Sequence, residues 1–367
     1  MPLGLDEVLR DHWRDFARRH ASRLGDARHR AARAVMSCRT PALGGHIWRC
    51  GCHHHHVHYA YHSCNHRSCP QCGALDQQKW AATQEARLLP GVPYFLVTLT
   101  VPDALRGLCK LEPAILYDLL LRESAGALKD LCATKLGGVP GFTTVLHTWG
   151  RQMQHHPHVH VVIPAVVLDK RGKVARFPDK PDFLIHGTPL ATRFRNRLEL
   201  ALKTDHPQLH SLLLEQHPQV FAGKWVADVR HTGSGRPALR YLARYVFRSA
   251  LGPGRLLGYD KSGNIRLLCH ESGTNRPHVI TLGVDDFLKR WLTHVLPQGF
   301  VRVRHHGWMS GAARKTRLLV RALVSGELDE PKPGLQEPPV PRCPHCGAEM
   351  KLVAVIHVRG PPTFPSS

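Results

Sequence analysis

Apolar residues at Leu5, Val8, Leu9, Trp13 and Phe16 recur at helical spacing among many arginines, so residues 5–36 predict one or two basic amphipathic helices. From Cys38 to Cys72 the periodicity stops and Cys, His, Gly and Tyr take over, the pattern of a fold organised by metal rather than by an apolar core. A helical pattern resumes over 74–89, and Pro90, Gly91 and Pro93 break it before the β-rich run YFLVTLTV at 94–101. Helices are expected over 111–136 and 190–214. Strands are expected over 143–149 (TTVLHTW) and 158–168 (HVHVVIPAVVL), and the GRQMQHHP between them suits a hairpin-like pair. A glycine-rich turn from His231 to Pro237 leads into a helix expected from Pro237 to about Ala250, with Gly252 and Pro253 beyond its end. Residues 285–296 predict another amphipathic helix, and 326–342, rich in Pro, Glu and Gly, a linker. The pattern has no solenoid-type repeat and divides into a basic helical arm (1–37), a metal-binding module (38–89), a larger α+β domain (90–325) and a tail (326–367) ending in Cys343-Pro-His-Cys346.

Composition narrows the partners. Fifty Lys and Arg against 28 Asp and Glu leave a formal charge of +22, which favours a polyanion. Nucleic acid and an anionic membrane both qualify, but no apolar run reaches the ~18–20 residues needed to span a bilayer, and the N-terminal stretch has no apolar signal core. Nucleic acid is therefore the expected partner, with no membrane, and the expected location is cytoplasmic. Six of the 11 cysteines crowd into residues 38–72, which in a reducing compartment reads as metal binding rather than disulfides.

Three constellations carry chemistry. The first is Cys38, His46, Cys50, Cys52, His53, Cys64, His66, Cys69 and Cys72, whose Cys50-x-x-His53 and Cys69-x-x-Cys72 spacings suit tetrahedral structural Zn²⁺. There are enough ligands for two ions, for instance one on those two pairs and one on Cys38, His46, Cys64 and His66. His54, His55, His56 and His58 are expected to be spare, and Arg49 and Arg67 to be presented to DNA. The second is His158-Val159-His160, whose imidazoles project from one face of a strand and offer a divalent ion two ligands. Gln152, Gln154 or a residue from another element could supply a third. The third is Tyr241 and Tyr245, one above the other on a helix, with Arg240, Arg244 and Arg248 nearby to favour phenolate and bind DNA. Taken singly, H-x-H is a weak signal and tyrosines at helical spacing are equally a core stripe.

Together these features resemble the two-tyrosine HUH transposases of bacterial insertion sequences, the insertion sequence 91 group. The resemblance rests on CRTPALGGHIWRC at 38–50, SCNHRSCPQC at 63–72, LHTWGRQMQHHPHVHVVI at 146–163, RYLARYVFRSA at 240–250 and HVLPQGFVRVRHHG at 294–307. It departs where members usually carry a Cys-x-x-Cys pair, here Cys50-Gly-Cys52-His53, and a His before the cysteine at 69, here Ser68. The resemblance implies an α+β fold, an HUH endonuclease core of antiparallel sheet with flanking helices, preceded by a zinc-binding module. It implies that His158 and His160 hold Mg²⁺ or Mn²⁺ and that Tyr241 and Tyr245 are paired nucleophiles that cut and rejoin single-stranded DNA through a 5′-phosphotyrosine. No G-x-x-x-x-G-K-[ST] run occurs, so a host helicase is the expected unwinding partner. A plasmid replication initiator or relaxase would share this chemistry, and a zinc-dependent DNA-binding regulator would use the same residues only for packing.

Overall fold

Five extended runs satisfy their backbone N–H and C=O groups by pairing with one another, and they form one sheet. The computed structural model describes residues 3–52, 56–176, 183–247, 249–271, 274–334 and 340–358. His53 and Arg248, both candidate site residues, lie outside the described residues. The chain packs as two units: Met1–Asp76, Phe247–Val295 and Leu335–Ser367 form one, and Gln77–Val246 with Leu296–Gly334 the other. The α+β class expected from the sequence is observed, with helices set among antiparallel sheets.

The second unit holds a five-stranded sheet in the order Val303–His306, Phe142–Trp149, His155–Pro164, Tyr94–Thr100, Val226–His231. Every pairing is antiparallel. The H-x-H strand His155–Pro164 is its central member, buried at every residue but His156, as a strand covered on both faces must be. The long helix Pro113–Leu136 packs on this strand and on Phe142–Trp149, and Gly187–Asp205 packs on the helix in turn. Buried Glu123 joins the two helices by accepting from Arg197 at 3.0 Å. Gly126 leaves room for that guanidinium, because a Cβ there would lie 2.3 Å from Arg197 Nε.

In the first unit, helices Leu5–Arg19 and Asp26–Ser37 pack together. The apolar stripe of Leu5, Val8, Leu9, Trp13 and Phe16 is wholly buried, so the predicted arm is a packed element rather than a free one. Strands Gly45–Arg49 and Val57–Tyr61 pair within the cysteine-rich segment, and Lys351–Ile356 from the tail adds to the other edge of Gly45–Arg49. A second three-stranded sheet, Leu256–Tyr259, Ile265–His270 and Pro277–Leu282, precedes helix Val284–Thr293. That helix is anchored by fully buried Trp291, which donates to Ser68 O at 3.2 Å, and by Asp285, which accepts from Arg19 at 2.5 Å and His20 at 2.9 Å. Residues 247–295, read from sequence as part of one span 90–325, thus pack with the N-terminal unit. Sequence adjacency hides this, since the partners of Trp291 and Asp285 lie more than 200 positions earlier.

The edge strand Val303–His306 carries two half-buried imidazoles. His305 Nδ1 lies 2.8 Å from Thr143 Oγ1, and His306 Nε2 3.0 Å from Thr144 Oγ1. Burial chiefly, then Arg87 and Arg317 for His305 and Lys129 and Arg304 for His306, push both down to about 4 from 6.5. With the folded-state value depressed, the unfolded chain takes up protons first as pH falls, so the stabilisation is complete above 6.5 and is lost on the way down through 4. We expect thermal midpoints measured by circular dichroism to drop across that window, and His305→Gln/His306→Gln to flatten the dependence. An equally steep drop in the double variant would remove these two residues from the account.

Candidate active site

Strand pairing decides which histidines can meet. His147 on Phe142–Trp149 lies opposite His158 on His155–Pro164, and Val145 lies opposite His160. Opposed residues share a face and alternate residues return to it, so His147, His158 and His160 project together. His147 Nδ1 is 2.9 Å from His158 Nε2, which is 3.1 Å from His160 Nε2. All three imidazoles are buried, with one nitrogen of each inside a circle of 4.8 Å. Burial lowers His158 to about 4 and His160 well below 6.5, so both are neutral lone-pair donors at neutral pH.

The ring orientations are fixed from behind. His158 Nδ1 donates to His156 O at 2.7 Å, which leaves Nε2 as its lone-pair nitrogen. His160 Nδ1 lies 3.0 Å from Thr98 Oγ1 on the neighbouring strand, which turns its Nε2 towards the same point. This is the arrangement in which outer partners orient metal-binding imidazoles. Sequence reasoning missed His147. Gln152 and Gln154, the candidates it weighed for a third ligand, instead build the hairpin turn, where Gln152 N–H donates to Gln154 Oε1 at 2.9 Å and Gly150 N–H to Gln154 O at 3.0 Å. The signal for His147 was its place in TTVLHTW, one short turn from HVHVV, and it needed the register to be decisive.

Tyr241 and Tyr245 lie on helix Arg236–Phe247, whose buried residues Ala238, Leu239, Leu242, Ala243 and Val246 form the opposite stripe. Gly235 sets the helix start: its φ is +77°, and a Cβ there would come within 2.6 Å of the Tyr94 ring. Arg302, itself buried, donates to Tyr245 O at 2.7 Å and ties the other end. The Tyr245 ring centroid is 4.4 Å from that of His147, the Tyr241 centroid 5.9 Å from that of His160, and the two phenol rings are 4.7 Å apart. The phenols therefore stand over the three imidazoles. Burial first, then Tyr245, raise the Tyr241 phenol well above 10, while Arg151 and Arg244 pull the other way.

The arginines expected around the tyrosines divide. The Arg244 guanidinium carbon lies 5.8 Å from the Tyr241 ring centroid. Arg240 turns aside to Glu85 at 2.8 Å, and Arg236 joins the same carboxylate at 3.2 Å. An acidic residue on a preceding helix outcompetes the phenols for Arg240, and Arg151 takes up the electrostatic position instead.

The eight zinc candidates among the described residues sort differently from the partition expected. Cys38, Cys64, Cys69 and Cys72 bring four sulfurs within 4.8 Å, and Cys50 and Cys52 gather with Cys343 and Cys346. His66 Nδ1 instead accepts from Ser68 N–H at 3.1 Å, and His46 packs against the His62 ring at 4.9 Å. In the first set burial pushes Cys38 up to about 12, while the Cys69 hydrogen bond chiefly holds Cys64 down at about 5. Four sulfurs this close cannot all ionise without a cation among them, and tetrahedral zinc supplies one. Arg49 and Arg67 are both exposed, Arg49 at the end of its strand.

Comparison with known proteins agrees with both regions. Residues 141–317, which span the imidazoles and both tyrosines, match the family described as "Putative transposase", and residues 8–101 match "Transposase zinc-binding domain". A putative transposase designated y4qJ from Sinorhizobium fredii is 32% identical over 330 residues, covering 85% of this chain and 81% of the relative. The transposase for insertion sequence element IS801 from Pseudomonas savastanoi pv. phaseolicola is 28% identical over 348 residues, covering 88% and 82%. No solved structure matches. The chain belongs to the IS91/IS801-type family of insertion-sequence transposases, with a zinc-binding domain at its N-terminal end.

Proposed function

We propose that this transposase cuts and rejoins single-stranded DNA in rolling-circle-type transposition, using Tyr241 and Tyr245 as nucleophiles beside a divalent ion held by His147, His158 and His160. The observation that carries the reading is the convergence of three buried imidazole nitrogens, two of them held neutral by burial, beneath two phenols. Three nitrogen donors suit Mn²⁺ better than Mg²⁺, which prefers oxygen, and they leave positions open for phosphate oxygens. A bound ion would polarise the scissile phosphate and offset the charge that develops on it.

The chain's own groups supply the rest. Thr98 and the His156 carbonyl lock the imidazoles so that no reorganisation is needed when phosphate enters. Tyr241 is held protonated at rest by its burial, and Arg244 and Arg151 favour its ionised form when the phosphate neighbourhood forms. A phenolic oxygen attacks phosphorus in line, the bond to the 3′-oxygen breaks, and the phenolic proton passes to that oxygen. The product is a 5′-phosphotyrosine with a free 3′-hydroxyl. Attack by a 3′-hydroxyl reverses the step and joins strands without a nucleotide cofactor. Two tyrosines 4.7 Å apart at the ring centroids can serve two strands at one site. The sequence contains no phosphate-binding G-x-x-x-x-G-K-[ST] loop, so a host helicase is assigned the unwinding.

Labelled single-stranded oligonucleotide with Mn²⁺ tests this, the readout being a covalent adduct on a denaturing gel. Tyr241→Phe/Tyr245→Phe keeps both rings and should abolish the adduct, and an adduct surviving in that variant would sink the nucleophile assignment. Ala at His147, His158 or His160 should each slow cleavage about 100-fold or more while changing DNA affinity little, because the ion adds little to a basic footprint. Thr98→Val should weaken Mn²⁺ binding by about 10–100-fold, measured by titration. Given the +22 charge, DNA affinity should fall steeply between low and physiological salt, and a flat response by fluorescence anisotropy would contradict an electrostatic interface.

A further inference from the structure

The C-terminal Cys343-x-x-Cys346 turn meets Cys50-x-Cys52 across nearly the whole sequence. The four sulfurs lie within 4.8 Å of one another. Cys50 Sγ and Cys346 Sγ are 3.4 Å apart, too far for a disulfide at ~2.05 Å and near the ~3.8 Å edge of a tetrahedron with zinc–sulfur bonds of ~2.3 Å. All four are free cysteines. The turns are built to hold sulfur: Cys52 N–H points at Cys50 Sγ at 3.4 Å, and the N–H groups of His345 and Cys346 point at Cys343 Sγ. Gly347, at φ +71°, closes the second turn by donating to Cys343 O at 2.9 Å, and Cys343 N–H donates to Ala348 O at 2.9 Å. Behind the sulfurs, Cys50, Cys343 and Met350 form a small buried cluster with Trp48 against it.

We propose that Cys50, Cys52, Cys343 and Cys346 form a second structural zinc site, a clasp that fastens the C-terminal tail to the N-terminal module. The matched zinc-binding domain ends at residue 101, so half of this ligand set lies outside it. The clasp is separate from the Cys38, Cys64, Cys69 and Cys72 set and independent of the chemistry proposed for the histidines. Its mechanical role follows from the sheet beside it. Lys351–Ile356 pairs with Gly45–Arg49 from Gly45↔Ile356 to Arg49↔Lys351, a short edge strand in a three-stranded sheet with a small core. Such a sheet gains little from burial alone, and a metal that closes a loop of roughly 290 residues removes a large entropy from the open chain. With all four positions taken by cysteine the site is closed, which fits a structural rather than a catalytic ion.

Zinc stoichiometry of the purified full chain tests this by elemental analysis. Two zinc per chain are expected, falling to one in Cys343→Ser/Cys346→Ser. Two zinc retained in that variant, or one in the unaltered chain, overturns the proposal. Alkylation of the unaltered protein needs no variant: Cys343 and the surface-exposed Cys346 should resist iodoacetamide together with Cys50 and Cys52, and become reactive on chelation. Alkylation of Cys346 at the rate of a free thiol, or a disulfide between any of the four detected by mass, also overturns it. Limited proteolysis should leave the tail attached in the unaltered protein and release it in the double serine variant.

Discussion

The register of one hairpin fixes the candidate active site. Because His147 stands opposite His158 in the antiparallel pair Phe142–Trp149 and His155–Pro164, three imidazoles share one face of two buried strands. A slip of one residue would send His147 to the other face and leave only the H-x-H pair. The bulge between His147 and Trp149 and the tight turn held by Gly150 and Gln154 set that register, and the central place of the H-x-H strand gives it neighbours on both sides. Thr98 reaches His160 only because its own strand is the next one over.

Burial is the second half of the same constraint. Desolvation keeps His158 and His160 uncharged, so they offer lone pairs rather than positive charge to whatever enters. The same desolvation works against ionising Tyr241, and the cationic groups that offset it, Arg244 and Arg151, come from the helix itself and from the hairpin turn. One environment thus prepares the imidazoles and restrains the phenol, and the balance is struck by charges placed at the edge of the pocket rather than inside it.

Much of this was legible in the sequence, and what was not shares a cause. Local periodicity exposes the H-x-H pair, the tyrosine pair and most helices, because each is a pattern within a few residues. A single histidine in TTVLHTW has no pattern, and only strand pairing gives His147 its meaning. The Arg240 side chain was misjudged for a related reason, since Glu85 comes from a distant helix and binds it at 2.8 Å. Among the zinc candidates, sequence proximity suggested mixed Cys and His sets, whereas among the described residues the fold gathers two all-cysteine groups and lends His66 to a backbone N–H. The helix over 284–293 is legible as an amphipathic pattern, but its neighbours are not, because Trp291 and Asp285 bind residues more than 200 positions earlier.

The sheet of Gly45–Arg49 has an order of completion written into the chain. One partner, Val57–Tyr61, emerges from the ribosome almost at once, and the other, Lys351–Ile356, only after roughly 300 further residues. At ribosomal speeds of ~5–20 residues per second, the open edge and its cysteines wait roughly 15–60 s for their last strand. An unpaired edge beside free thiols is a place where nascent chains stick to one another. The exposed Arg49 at the end of Gly45–Arg49 places a positive charge at that edge, so that during the wait neighbouring nascent chains meet like charge there.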